Sequence, residues 1–512
     1  MTDCYAMGGK HEEIEFKAGV DAATLARLRR HRALRPATVG HASTRKLLSI
    51  YYDAGDLRLM RAGLFLRMRR SGGRWEQTVK AARLALPGLQ RVTEVTDPAD
   101  SPNPSLARVS HAALRRALED ALAGAALQPV CRSDIHRTTR LLETPAGRVE
   151  LAFDRGAVTA GDVADAFCEV EIECIEGGAE PAWRWAQTLL GREAARLVQP
   201  SKAARGFTLA AGGEPLRAAA DRSNPSALGP QRDTEAAVEA MFAQLARSIA
   251  ENLFIVFTRE DPEGPHQLRV ALRRLRALLR ATDGLLRKGA GEGLARRARD
   301  LGRLLAPLRD ADVLTALLLE AGHDDELDAA LVARQHAVRA TVRDALREAG
   351  ATGFAITLLR LVDEGRWVPR GKGRRRRLRR PLAEALGPAL DAQWAKVRRH
   401  GKSFGKLDAA ARHRLRKDLK VLRYMLELAA LDPETPPPEG LLKTLARLQD
   451  ALGVLNDADN LAGRQLTLDD PALARALARR QSRLPVLKKA ARRKQLAKAR
   501  RAWDRLHERW YR

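Results

Sequence analysis

Residues 13–17 are EIEFK, Glu13-Ile14-Glu15-Phe16-Lys17, in which charged and apolar residues alternate with a period of two. That is the period of a β-strand, whose successive side chains point to opposite faces. Glu13, Glu15 and Lys17 therefore share one face, and Ile14 and Phe16 the other. The same parity groups Arg67 with Arg69 opposite Leu66 and Met68, Thr78 with Lys80, and Glu169 with Glu171 and Glu173 opposite Val170 and Ile172. One such strand is ordinarily part of a sheet with a solvated, salt-bridged face. Four of them point to a layer whose apolar side packs outward, with the charged side lining an interior of both signs. Burying so many charges is costly unless they are paired and neutralised. Arginine and lysine grip phosphate oxygens, and clustered carboxylates hold Mg²⁺ or Mn²⁺, hard cations that bridge phosphates.

Working outward, strand-like segments recur at Ile14–Lys17, Leu64–Arg69, Trp75–Lys80, Val149–Phe153 and Phe167–Ile175, with helices expected at Asp21–Arg32 and Pro104–Leu122. The character changes near residue 211. Ala211–Arg232 is rich in Gly, Pro, Ser and Asn and reads as a linker, and long Leu/Ala/Arg segments with a 3.6-residue period follow. The expected organisation is a strand-rich domain over 1–210, a linker over 211–234 and an all-helical domain over 235–512.

Net charge is +28 and unevenly spread: residues 1–210 carry 31 basic and 25 acidic side chains, the remainder 60 and 38. Such an excess implies a polyanionic partner. Aromatic residues make up 4% of the chain, which leaves few platforms for stacking bases and disfavours nucleic acid. The run Arg370–Arg380 (RGKGRRRRLRR) reads as a solvated loop or, alternatively, a nucleic-acid patch centred on Arg374–Arg377. The four cysteines, Cys4, Cys131, Cys168 and Cys174, lack zinc-site spacing and read as reduced thiols. No apolar run approaches bilayer length, and Met1–Lys17 has no signal-peptide stretch, so a cytoplasmic protein without a membrane partner is expected.

The helical half contains a repeat. At an offset of 147, His266, Arg269, Arg273 and Arg276 align with His413, Arg416, Lys420 and Arg423, and further on Leu305, Asp310 and Asp312 align with Leu452, Asp457 and Asp459. In each copy the cationic residues fall on one helical stripe, and Leu268, Leu272, Leu275 and Leu279, or Leu415, Leu419, Leu422 and Leu426, fall on the opposite one. A solvated face would mix Glu with Lys to avoid i,i+4 repulsion. A purely cationic stripe in both copies reads as an anion site, with Arg274 and Lys417 adjoining it. The histidines either cap a phosphate when protonated or bond the paired aspartates, and their spacing argues against a metal site.

HQLRVALRRLR with RDADV, and HRLRKDLKVLRY with LNDAD, resemble the conserved histidine α-helical (CHAD) domain over roughly residues 235–512. The resemblance implies a helical bundle that binds polyphosphate in a basic channel and associates with polyphosphate granules. In the first half, EIEFK, LFLRMRR, TVK, IHRTT, VELAFD, CEVEIE and SKAARGF resemble the CYTH family of triphosphate tunnel metalloenzymes over roughly residues 10–210. That resemblance implies an antiparallel barrel of about eight strands with flanking helices. It implies Glu13, Glu15, Glu169, Glu171 and Glu173 as metal ligands for Mg²⁺ or Mn²⁺, with Glu150 and Asp154 as companions. It implies Lys17, Arg67, Arg69, Lys80, Arg137 and Lys202 as phosphate contacts, and Glu13, Glu15, Lys17 and Lys80 as the catalytic set. Two positions depart from the family pattern. Arg91 shares its face with Thr93 and Val95, which turns Glu94 away unless a bulge intervenes, and Thr139 stands where a second basic residue is common. The expected function is metal-dependent hydrolysis of inorganic tripolyphosphate by direct attack of water, with polyphosphate bound by the helical half. The alternatives are a polyphosphate binder with a degenerate barrel, and a basic nucleic-acid-binding protein.

Overall fold

The structure, a computed structural model of the chain, describes residues 12–510 apart from 199, 216, 231–232, 321, 323–324, 464–474, 476–477 and 480–488. Cys4 lies outside the described residues. The chain divides into two compact units: Met1–Ala219 with Gly350–Arg360, and Ala220–Ala349 with Leu361–Arg512.

In the first unit eight antiparallel strands close a barrel: β1 (Glu12–Gly19), β2 (Thr38–Asp53), β3 (Leu64–Ser71), β4 (Arg74–Ala85), β5 (Leu89–Ala99), β6 (Gln128–Thr144), β7 (Gly147–Ala160) and β8 (Val163–Cys174). Their order around the barrel is β1-β5-β4-β3-β2-β6-β7-β8, and closure leaves no unpaired edge. The apolar faces point outward as the alternation requires. Leu66, Met68, Val79, Ala81 and Val95 are buried beneath Leu114, Leu118 and Leu122 of the helix Ala112–Leu122. Phe16 meets Trp183 of the helix Glu180–Leu190 edge-on, with centroids 5.4 Å apart.

Part of the inner face is apolar as well. Leu47, Tyr51, Ile135, Val158 and Phe167 cluster with Cys131 and with Ala203, Phe207 and Leu209 of the helix Lys202–Ala210. Ser201 caps that helix by accepting a hydrogen bond from the Ala204 N–H. The helix comes so close to β6 that a Cβ on Gly206 would lie 2.1 Å from the Cys131 sulfur, so only glycine fits. This close seating carries Lys202 and Arg205 into the charged part of the interior.

The second unit is helical among its described residues. The helices Glu263–Ala281 and Ala409–Ala429 are the two copies of the repeat and superimpose in sequence at the offset of 147. Leu268, Leu272, Leu275 and Leu279 are buried, as are Leu415, Leu419, Leu422 and Leu426. The copies then diverge. Leu441–Gly463 is one continuous helix, whereas its counterpart breaks at Leu305 into Glu292–Leu304 and Ala306–Glu320. Pro307 explains the break, because proline supplies no N–H and disfavours a helical residue before it. The second copy has Val454 at that place.

Arg370–Arg380, read as either a solvated loop or a nucleic-acid patch, is solvated but partly helical. Lys372–Leu378 forms a short helix anchored by buried Leu378, with Arg374, Arg375, Arg376 and Arg377 exposed. Thr234–Thr258 is long and apolar enough to span a bilayer by length and composition, but 72% of its most apolar window is buried in the protein, as in a core helix.

Because the helix Lys202–Ala210 is seated on a glycine contact, Gly206→Ala is expected to destabilise the first unit by about 1–3 kcal/mol through overpacking. Urea unfolding followed by tryptophan fluorescence checks this, and an unchanged midpoint would contradict the contact.

Candidate functional site

The inner faces of the strands converge two groups of charge. In the first, the Lys202 ammonium lies 3.0 Å from Asp154 and 2.8 Å from Glu169, and also pairs with Glu171. Arg137 grips Asp154 as a fork, with both bonds at 2.7 Å, and reaches Glu171 as well. Arg205 pairs with Asp165 and lies 3.7 Å from Glu169. Asp154, Glu169 and Glu171 present oxygens within 4.8 Å of one another, the spacing of a metal cluster. Their charge is already answered, however. Burial pushes Glu171 up, but Lys202, Arg137 and Lys17 override it and hold the carboxyl well below its ordinary range. Burial likewise works against the charge on Lys202, which Glu169, Glu171 and Asp154 more than restore.

The second group is less balanced. Lys80 donates to Glu13 at 2.8 Å and pairs with Glu94, while Arg67 donates to Glu94 at 3.4 Å and to Thr78 at 3.2 Å. Burial raises Glu13 to about 9, with Lys80 opposing and Glu94 and Glu15 reinforcing. Glu94 shares a hydrogen bond with Glu13. Burial would raise it too, but that bond and the charges of Lys80 and Arg67 keep it ionised. Glu15 is raised by burial and then by Glu171, beyond what Lys17, Lys80 and Lys202 offset. Its buried Oε1 accepts no hydrogen bond among the described residues, and Lys17 stands 3.7 Å off. Burial and the neighbouring charge of Glu15 lift Glu173 to about 7. Glu13, Glu15 and Glu173 are thus carboxylates with too little positive charge around them.

Across the barrel the imbalance is of the opposite sign. Burial lowers Arg69 to about 10, and Arg67 and Arg137 push it further the same way. Arg69 donates to Ser49 at 3.1 Å, and the Arg67 Nε is buried without an acceptor among the described residues. In strand order β3 stands three places from β1 and four from β8, so an arginine wall faces a carboxylate wall.

Glu94 corrects the expectation drawn from Arg91. β5 pairs Glu94 with Lys80 and Thr96 with Thr78, so its lining face is Val92, Glu94 and Thr96, while Val95 belongs to the outer apolar cluster. A bulge does occur, but on β4 between Ala82 and Leu84. Glu94 is therefore a site carboxylate that parity from Arg91 turned away, and Arg205 is a site cation that no sequence motif marked. Thr139 pairs with Ala152 and Ser43, and no basic residue stands there.

In the helical unit, cations on the two repeat helices face one another. Burial lowers Lys420 to about 6, and Arg273, Arg416 and Arg423 drive it down further, with Asp457 opposing. His266 is lowered by burial, then by Arg309, against Glu263, with Arg273 and Lys420 adding to the fall. Arg269 donates to the Gly302 carbonyl at 3.2 Å, and Arg276 lies among Arg299, Arg280 and Arg303. The Nε groups of Arg273 and Arg416 are buried without acceptors among the described residues, whereas the Arg423 Nε lies 3.1 Å from Glu427. Arg309, Arg299 and Arg303 join this cluster from the following helices and had no signal in the repeat alignment.

Two of the expected residues stand elsewhere. Arg274 is held by Glu427 at 3.0 Å and by Ser223 Oγ at 2.9 Å, and lies over the Tyr424 ring; Lys417 is exposed. His413 does not take a paired aspartate. His413 bonds Asn456 at 2.5 Å, and the counterpart of Asn456 in the first copy is Arg309. Asp312 and Asp459 instead receive arginines, Arg339 at 3.2 Å and Arg412 at 2.8 Å.

Residues 11–207 match the CYTH domain family, and residues 236–466 match the CHAD domain family. The inorganic triphosphatase of Haemophilus influenzae is 28% identical over 162 residues, which cover 31% of this chain and 44% of that protein. The chain thus spans less than half the length of that curated relative. Among solved structures, the CHAD domain from Ricinus communis is 26% identical, covering 56% of this chain and 96% of that one, at a TM-score of 0.41. HpAC1 from Hippeastrum, which has a dominant triphosphatase activity, is 18% identical, covering 40% and 97%, at a TM-score of 0.29.

Removing Lys202 leaves three close carboxylates short of charge. Lys202→Met is expected to destabilise the first unit by about 3–5 kcal/mol, with excess Mn²⁺ restoring part of the loss. Thermal unfolding with and without Mn²⁺ measures both effects, and a variant of unchanged stability that ignores the metal would contradict the pairing. For Lys420, a depressed folded value means that the unfolded chain binds more protons between about 6 and the ordinary lysine range. Stability of the helical unit therefore rises with pH across that window and is lowest below it, where the folded state must carry the charge. Lys420→Met is expected to flatten the rise and to raise Tm at pH 6; a Tm unchanged or lower there would contradict the crowding.

Proposed function

The chain carries a CYTH domain over residues 11–207 and a CHAD domain over residues 236–466, and from that premise we propose that it hydrolyses inorganic triphosphate in the barrel and holds polyphosphate on the helical unit. The observation that carries this reading is the pair of opposed, unbalanced walls. Arg69 lacks negative charge on one side, where Arg67 already shares Glu94 with Lys80, and Glu13, Glu15 and Glu173 lack positive charge on the other. A triphosphate bridged to a divalent cation satisfies both at once.

The donor set suits Mg²⁺ or Mn²⁺, because it consists of carboxylate oxygens and Glu15 offers a buried oxygen with no donor. Glu13, Glu15 and Glu173, with Glu94 beside them, would hold the ion. Glu169 and Glu171 would join only if Lys202 withdrew. The ion supplies neutralisation of phosphate charge and activation of water when bound. The chain's own residues do the rest. Arg67 and Arg69 take phosphoryl oxygens, and Lys17 and Arg137 extend the cationic lining. Lys80 keeps Glu94 ionised and orients Glu13, which makes it a positioning residue as well as a phosphate contact. Ser49 steadies Arg69.

On the helical unit, the crowded cations around Lys420 and the buried Nε groups of Arg273 and Arg416, without acceptors among the described residues, support a linear polyanion as ligand. Cytoplasmic action, at polyphosphate granules, follows from the same reading. Phosphate release from tripolyphosphate, ATP and thiamine triphosphate with Mg²⁺ or Mn²⁺ tests the proposal. Tripolyphosphate is expected to be the preferred substrate, and Glu15→Gln to lower the rate by about 100-fold or more. Wild-type protein that releases no phosphate with either metal would overturn it.

A further inference from the structure

The helix Lys489–Trp510 lies beyond the matched CHAD region and carries nine basic and two acidic residues. Its apolar stripe explains how it is held. Ala499, Ala502, Trp503 and Leu506, at offsets of three, four and seven, are buried against Leu445, Leu448 and Leu452 of the helix Leu441–Gly463. The stripe leaves the cations to the flanks. On one flank Arg500 joins Arg398, Arg399, Lys402 and Lys406 around a cleft of about 1020 Å³. Among its described lining residues, Asp504 supplies the one carboxylate.

The cleft is built, because its walls depend on close and strained contacts. A Cβ on Gly401 would lie 2.0 Å from the Trp503 ring, so Trp503 packs against the last turn of the helix Leu382–Gly401 only because that residue is glycine. Ser403 then adopts a left-handed conformation at φ 59, a costly one for a residue with a side chain. The reversal brings Lys402 and Lys406 to the same cleft as Arg500, whose guanidinium lies close to Gly405. Phe404 and Trp503 stack beneath, 5.4 Å apart, and are 5% and 7% exposed, so neither ring is free to stack a nucleobase.

We propose that this cleft is a second polyphosphate-binding site, distinct from the cation cluster between the two repeat helices. Arg399, Lys402, Lys406 and Arg500 bring four exposed cations to one cleft, and a cleft without accessible rings suits a phosphate chain without bases. The other flank of the same helix continues the charge. Arg447, Lys498, Arg501 and Arg505 surround a smaller cleft of about 460 Å³ with Asp450. A chain seated beside Arg500 can thus continue over the helix. The proposal shares its ligand class with the reading of the repeat helices but does not require those helices to bind.

The test is polyphosphate binding by the full chain over a range of salt, with two sets of substitutions. One removes Arg399, Lys402, Lys406 and Arg500 as glutamines; the other is Arg273→Gln with Lys420→Gln. Short-chain polyphosphate is expected to bind each variant at one site fewer than wild type, the barrel counting equally in all three. With long chains, the four cleft substitutions are expected to lower the salt slope by about 0.7 per cation removed. An unchanged stoichiometry and salt slope in the cleft variant would overturn the second site while leaving the repeat-helix site intact. Loss confined to the Arg273/Lys420 variant would overturn it equally, and loss confined to the cleft variant would sink the repeat-helix reading alone. Single-stranded DNA serves as the competing probe, and a cleft variant that loses DNA while keeping polyphosphate would also overturn the proposal. The substituted cleft side chains are exposed, so unchanged far-UV circular dichroism is expected of that variant.

Discussion

The barrel depends on charge being matched inside a space from which water is largely removed. Lys202 and Arg137 against Asp154, Glu169 and Glu171 are the clearest case: each carboxylate meets at least one cation, and two of them are wholly buried. Such a network is costly to desolvate and costlier to break from one side. It fixes the helix Lys202–Ala210 against the inner wall, and so fixes where the apolar plug ends and the charged space begins. Beyond that point the matching fails on both walls, with positive charge in excess on β3 and negative charge in excess on β1 and β8. An interior balanced in one part and polarised in another is what a site for a metal-bridged anion requires.

The helical unit follows the same rule with one sign only. Its repeat helices dock through leucine and are then left with cations facing cations, so Lys420 is driven toward neutrality. The two copies are not equivalent: His413 meets an amide where His266 meets Arg309, and a proline breaks one copy's second helix. The duplicated pattern therefore keeps its cationic face while its hydrogen bonding has diverged. Stability given up in this way points to a ligand that restores it.

Much of this was legible in the sequence where alternation was clean. EIEFK, LFLRMRR and CEVEIE each set charge against apolar residues, and the period of two assigned their faces correctly. β6 was harder to see, because polar residues occupy both sides: Arg132, Asp134 and His136 outside, and Ser133 and Arg137 inside. Glu94 was misplaced because parity along β5 was anchored on Arg91, whereas the pairing of Lys80 with Glu94 sets the lining face. Which carboxylates are neutralised was not legible at all. Glu171 and Glu173 are two residues apart on one strand, yet Lys202 and Arg137 reach only the first. The contributions of Arg299, Arg303 and Arg309, and the cleft beside the last helix, likewise depend on how helices pack rather than on any pattern within one of them.

The central claim is that the carboxylates left short of positive charge, not the tightest carboxylate trio, receive the divalent ion. Anomalous diffraction from crystals soaked with Mn²⁺ and tripolyphosphate tests it directly. The account predicts a manganese peak bounded by Glu13, Glu15 and Glu173, with Lys202 still bonded to Glu169. A peak among Asp154, Glu169 and Glu171 with Lys202 displaced, or no peak inside the barrel, would contradict it.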